Sequence, residues 1–216
     1  TPDRRLIMKY YFFIAVLAFC FLAGTARAEQ DPAADRLLAR LEHISHLQGR
    51  FEQRQYGDDD TLLGVSSGSF RLLRPVYFSW EIESPDNQLI VANAQYLWHY
   101  DIDLQTVTRR PVAGSVQASP LQVLAGDESV LREQFRVEQQ GADSFILVPL
   151  AGEHGFSRLE VSFKGHTISG MKIEDKLNQR VDVEFRSLDA DTPLTAEDFD
   201  FSPPTGGEVD LFFYDE

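Results

Sequence analysis

Cysteine is almost missing from this 216-residue chain: the single one, Cys20, sits inside an apolar run near the start. Nothing beyond it can form an internal disulfide, so a small fold stapled by cross-links is excluded and a hydrophobic core must hold the protein together. Positive charge is also scarce. Twenty Lys and Arg face 34 Asp and Glu, a net charge of −14. That balance lacks the basic footprint nucleic acid requires, and it disfavours lasting residence on an anionic membrane surface. The phosphate-cradling G-x-x-x-x-G-K-[ST] loop and the G-x-G-x-x-G dinucleotide fingerprint are absent. So are internal repeats, low-complexity tracts and any linker that would divide residues 29–216. No cofactor is expected from such a sequence.

What is present begins with an address. Arg4, Arg5 and Lys9 precede an apolar run over 10–23, and Ala26-Arg27-Ala28 follows it. A positive start, a short apolar stretch and an A-x-A site make a secretory signal peptide, too short for a stable membrane span. The expected organisation is a cleaved signal over 1–28, with Met8 the expected translation start, and one domain over 29–216. Cys20 follows the bulky Phe19, where a lipoprotein signal would carry small residues, so lipid attachment there is not expected. Cleavage removes four basic residues and one acidic residue, which takes the charge from −14 to −17.

Residues 31–48 predict a helix. Asp31-Pro32 supplies a cap and a first-turn proline, and Leu37, Leu41 and Ile44 form a stripe flanked by Ala34 and Leu38. His43 and His46 fall on the polar side without a third ligand nearby. From Phe51 the hydrophobic period becomes two. Strands are predicted over 50–56, 66–73, 77–83, 88–92, 96–100, 104–109, 134–140, 144–149, 157–163, 167–174 and 179–188, with a short end piece. Turn residues such as Pro85-Asp86-Asn87, Gly141-Ala142-Asp143 and Gly165 separate them. Strands so regularly spaced argue an antiparallel meander within a mainly β, α+β fold. Between 111 and 133 the pattern breaks. A short helix over 119–126 carries Leu121, Val123 and Leu124.

Catalytic motifs are weak. Gly64-Val65-Ser66-Ser67-Gly68 matches G-x-S-x-G, but that motif needs a following helix to present the serine, and here a strand follows. Asp58-Asp59-Asp60 lacks the spaced ligands of a calcium loop. An enzyme is not expected. The alternating strands leave two readings of their apolar face open: an ordinary filled core, or a curled sheet whose trough is roofed by the helices.

The organising stretch is Gly68-Ser69-Phe70-Arg71-Leu72-Leu73-Arg74-Pro75-Val76-Tyr77-Phe78-Ser79-Trp80. Phe70, Leu72 and Arg74 share one face; Phe78, Trp80 and Ile82 again share one. With Phe51 and Gln53 upstream, Leu97, Trp98 and Tyr100 downstream, and Phe199, Phe201, Pro203, Pro204 and Gly206 near the end, the chain resembles the LolA family of periplasmic carriers of outer-membrane lipoproteins. Asn93-Ala94 stands where that family usually has Asp-Gly, so this hairpin is expected to use another turn.

The resemblance implies an incomplete antiparallel barrel of about eleven strands covered by a lid of short helices. It also implies a monomeric carrier, without stable membrane insertion, that takes acylated lipoproteins from an inner-membrane ABC-type release complex. It would pass them to an outer-membrane receptor. Alternatives of the same fold are the receptor itself or a periplasmic lipid-binding sensor domain. The expected acyl-chain cavity and rim are Phe70, Leu72, Phe78, Trp80, Ile82, Leu41, Ile44, Leu121 and Leu124, with Phe78 near a rim because it starts its strand. Arg74, aimed at a dry face, needs acceptors, and unsatisfied helix-end carbonyls supply them. It is expected to latch the lid at the end of 31–48 or at 119–126. The plainer alternative is a solvated arginine at a strand end.

Overall fold

The computed structural model describes residues 32–112, 128–150, 155–205 and 209–214. The expected signal peptide (1–28) and the 119–126 helix, with Leu121 and Leu124, lie outside them.

Helix α1 (Pro32–Glu42) opens on the proline, whose fixed φ suits a first turn, and buries Ala33, Ala34, Leu37, Leu38 and Leu41. The sequence predicts this helix to residue 48; the structure ends it at Glu42. The Ile44 N–H turns back to the Leu41 carbonyl at 2.9 Å, and His46, Leu47 and Gln48 pair with Leu73, Leu72 and Arg71. Sheet bonds claim these three residues, while Ile44 stays buried and extends the helix's apolar stripe across the turn.

The strands are β1 (His46–Tyr56), β2 (Leu62–Leu73), β3 (Tyr77–Ser84), β4 (Gln88–Ala92), β5 (Tyr96–Asp101) and β6 (Thr106–Pro111). After helix α2 (Glu128–Gln134) come β7 (Phe135–Gln140), β8 (Ser144–Pro149), β9 (Arg158–Lys164), β10 (Thr167–Glu174) and β11 (Arg180–Asp189). A 3₁₀ turn (Ala196–Phe199) and β12 (Asp210–Phe213) end the chain. One sheet holds all of them, in the order β12-β6-β5-β4-β3-β2-β1-β11-β10-β9-β8-β7. Strand β1 pairs with β2 on one side and β11 on the other, so two meanders meet along a single seam. The sheet stays open, with β7 and β12 as its edges. The short end piece predicted beyond 188 is β12, and it lies parallel to β6, the one exception to the antiparallel pattern among the described strands.

Two turns show how local chemistry sets the register. At Asn93 the side-chain oxygen accepts from the backbone N–H groups of Gln95 and Tyr96, at 2.9 and 2.8 Å. This Asx turn joins β4 to β5 without a glycine. At Gly68 the β2–β3 register shifts, and an added Cβ would lie 1.8 Å from the Glu81 carbonyl oxygen. Only glycine fits that approach.

Strand parity divides the apolar residues between two faces. The inner face carries Leu47, Phe51, Phe70, Leu72, Phe78, Trp80, Val161, Phe163, Ile168, Met171, Val183 and Phe185, in one cluster with the buried side of α1. The outer face of β3–β6 is covered by the C-terminal segment. Phe199 lies 5.6 Å from Tyr77, and Phe201 5.3 Å from Trp98. The Arg109 guanidinium sits over Tyr96 and Phe213 at 4.4 and 4.3 Å. Among the described residues, no helix is long and apolar enough to cross a membrane.

Candidate functional site

The apolar residues of the inner face form one buried cluster with the apolar side of α1. Phe51 stacks on Trp80 with ring centroids 3.6 Å apart. Phe70 lies 4.8 Å from Phe185, and Trp80 meets the same ring edge-on at 6.2 Å. These rings come from β1, β2, β3 and β11, so the stack bridges the seam between the two meanders. Among the described residues, a cavity of about 10 Å³ is lined by Leu47, Phe70, Leu72, Phe78, Ile168 and Phe185 among others. That is barely room for one water.

The structure places the predicted lining residues together. Phe70, Leu72, Trp80, Leu41 and Ile44 are buried in the shared cluster, and Ile82 is half-buried against it. Phe78 departs from expectation. It is 2 % exposed and sits between Leu72 and Ala92 in the middle of the sheet, not on a rim. Phe78 lies near the ends of its strand and of both neighbours, yet it is buried because its side chain joins the core cluster that includes the apolar side of α1.

Arg74 opens the turn between β2 and β3. Its backbone N–H donates to the Ser45 carbonyl at 3.0 Å, which ties this turn to the connection between α1 and β1. Partial burial pushes its guanidinium below the ordinary arginine range, and the carboxylate of Glu42, the last residue of α1, pulls it back up. Of the two partner segments expected for it, one is therefore close by, and the other, 119–126, lies outside the described residues.

A second arginine, which the sequence did not single out, works from the helix itself. Arg40 donates from Nη1 to the Gly165 carbonyl at 2.6 Å, and from Nη2 to the Ala142 carbonyl at 3.2 Å and Asp143 Oδ1 at 2.6 Å. It thus clasps the β9–β10 and β7–β8 turns at once. Arg36 reaches Gln139, and Arg132 of α2 bonds Asp35 at 2.8 Å. A basic residue in a helix's last turn usually complements the helix dipole, so nothing in the sequence pattern marked Arg40 for this role.

The weaker motifs resolve structurally. Ser66 lies within β2 opposite Gln53, and no helix follows it, so the nucleophile elbow is not formed. In the acidic turn, Asp59 accepts from the Thr61 N–H and Asp60 pairs with Arg180 at 2.6 Å. His43 meets His166 edge-on at 5.5 Å, and Ser45 Oγ lies 3.1 Å from His46 Nδ1.

Residues 42–202 match the model of the outer membrane lipoprotein carrier protein LolA family. The chain belongs to that family. It is 31% identical over 205 residues to the outer-membrane lipoprotein carrier protein of Azotobacter vinelandii, covering 94% of this chain and 99% of that one. It is 34% identical over 196 residues to the protein of that name from Methylibium petroleiphilum, covering 89% and 94%. A solved LolA superfamily protein from Nitrosomonas europaea shares the fold at a TM-score of 0.50 and 10% identity, covering 78% of this chain and 97% of that chain. Within this LolA-family frame, the Arg74-Pro75-x-x-Phe78-x-Trp80 stretch joins the trough floor to the turn that meets the roof.

Proposed function

We propose that this chain is a periplasmic carrier of acylated lipoproteins, whose trough holds the acyl chains. One observation carries the reading: an apolar inner face gathered into one buried cluster with the apolar side of α1, a helix that Arg40 ties to two turns of the sheet. An acyl chain needs space, so loading must lift α1.

The energetics define the task. Lipid anchoring is worth about 0.8 kcal/mol per buried CH₂, so a chain of roughly 16 carbons resists exposure to water by on the order of 10 kcal/mol. A few charge-assisted hydrogen bonds, at roughly 1.5–3 kcal/mol each, are weaker than that and can be broken by the cargo. They remain strong enough to reclose an empty trough. The carrier does no covalent chemistry. Loading is driven by an inner-membrane ABC-type release complex, and delivery goes to an outer-membrane receptor. Expression with its leader, purification from the periplasm and mass spectrometry should find acylated lipoprotein in stoichiometric complex. A protein that comes out with no lipoprotein, and that binds no synthetic lipopeptide in vitro, overturns the reading.

A further inference from the structure

The trough's two walls are built differently at the end away from Arg74. On β9–β11 the inner face stays apolar, with Leu159, Ile173, Val181 and Val183. On β1–β4 it changes character. Beyond Phe51 the inward positions of β1 are Gln53 and Gln55; beyond Gly68 those of β2 are Ser66 and Gly64. With Gln88 of β4 they line a solvent-open groove of about 200 Å³. Ile82 belongs both to this groove and to the packed core, so the two are continuous. Successive inward positions on a strand are about 7 Å apart, so the first amide lies one repeat beyond the Phe51–Trp80 stack.

The groove's polar groups are available. Among the described residues, the side chains of Gln53, Gln55 and Ser66 make no hydrogen bond within the protein, and Gln88 shares only its oxygen, 3.2 Å from a His99 nitrogen. Amides and hydroxyls both donate and accept, as peptide groups do. Among the described residues the groove's lining holds no Lys or Arg, and its one charged residue is Asp86. A phosphate headgroup or a free carboxylate would meet no counter-charge there.

We propose that this groove is the subsite for the polypeptide segment that follows the acylated residue of the cargo, read through its backbone amides. The proposal rests on the lipoprotein-carrier reading. An acylated polypeptide changes from hydrocarbon to peptide over a few bonds, and the β1–β4 wall changes from aromatic to amide over one strand repeat. Recognition of main-chain groups by neutral amides is independent of sequence, which suits a carrier of many cargos. The absence of a cation in the groove also disfavours anionic phospholipid as a competitor.

The test uses two synthetic ligands, a triacylated cysteine amide and the same lipid extended by a neutral Ser/Gly tetrapeptide. Each is titrated against a fluorescent fatty-acid probe bound to the full mature chain. Two net hydrogen bonds give about tenfold, so the extended ligand should bind about ten times more tightly. The Gln53→Leu/Gln55→Leu double variant should bring the two affinities together. Benzophenone-alanine in place of the exposed Gln55 should crosslink to the tetrapeptide and not to the acyl chains. Equal affinities in the unaltered protein, or crosslinks to acyl carbons alone, overturn the subsite and leave the carrier reading standing. Failure of both ligands to bind overturns the carrier reading and the subsite with it.

Discussion

Two arginines near α1 sit in opposite surroundings. On one flank, Arg40 reaches outward to three acceptors on the β7–β8 and β9–β10 turns, at the water-exposed border of the sheet. On the other, partly buried Arg74 stands in the turn after β2, near the Glu42 carboxylate. Exposed ion pairs contribute little individually and weaken with salt. A guanidinium held partly out of water depends strongly on its acceptors and is disturbed by whatever enters beside it. Under the proposed carrier function the contrast suggests different work for each side: the Arg40 clasp would hold the helix on its β7–β10 flank with or without lipid, and the Arg74 side would be where cargo meets a polar resistance.

The largest effect tests the floor beneath both flanks. Phe78→Glu places a carboxylate in a closed apolar cluster and should lower stability by roughly 3 kcal/mol or more, visible in urea unfolding. A folded variant of unchanged midpoint would mean that the trough is open in solution, and the two-flank picture would lose its basis. Next comes Arg74→Leu. It removes the polar resistance and extends the apolar row, so the variant should retain lipopeptide and transfer it poorly to acceptor membranes bearing the receptor. Normal transfer would make Arg74 an ordinary strand-end residue.

Arg40→Ala should cost about 1–2 kcal/mol. It should raise amide exchange in α1 while transfer continues, because the Arg74 side is intact. Transfer lost as fully as in Arg74→Leu would erase the distinction between the flanks. The smallest effect is that of Asp143→Asn. It leaves the two carbonyl acceptors of Arg40 in place and removes one exposed pair, worth about 0.2–1 kcal/mol. Its effect should vanish in high salt.

Much of this was legible beforehand, and the exceptions have physical causes. Period-two alternation located β1 to β11, because half-buried strands must alternate, whereas β12, exposed along its length, was expected only as an unplaced end piece. The length of α1 was misread because Ile44 is buried whether residues 43–48 are helical or extended, so apolar spacing could not separate the two. Phe78 was misplaced because position along a strand says nothing about depth across a sheet. Arg40 went unnoticed because its acceptors are turn carbonyls 102 and 125 residues away. The polar wall of Gln53, Gln55 and Ser66 reads in sequence as ordinary solvent-facing alternation. Only the pairing of β1 with β2 shows that these residues continue the inner face.

The seam between β1 and β11 has a consequence for how the protein is made. Phe51 lies opposite Phe185 across that seam, so the centre of the sheet waits for a contact between distant parts of the chain. Long-range pairing of this kind slows folding, since loop closure precedes any gain from contact. Until the last third of the polypeptide has emerged, Phe51, Phe70 and Trp80 form an apolar half-sheet with nothing across from it. During its own biogenesis, then, the chain passes through an interval of exposed hydrophobic surface in an aqueous compartment, the same hazard from which it is proposed to shield its passengers.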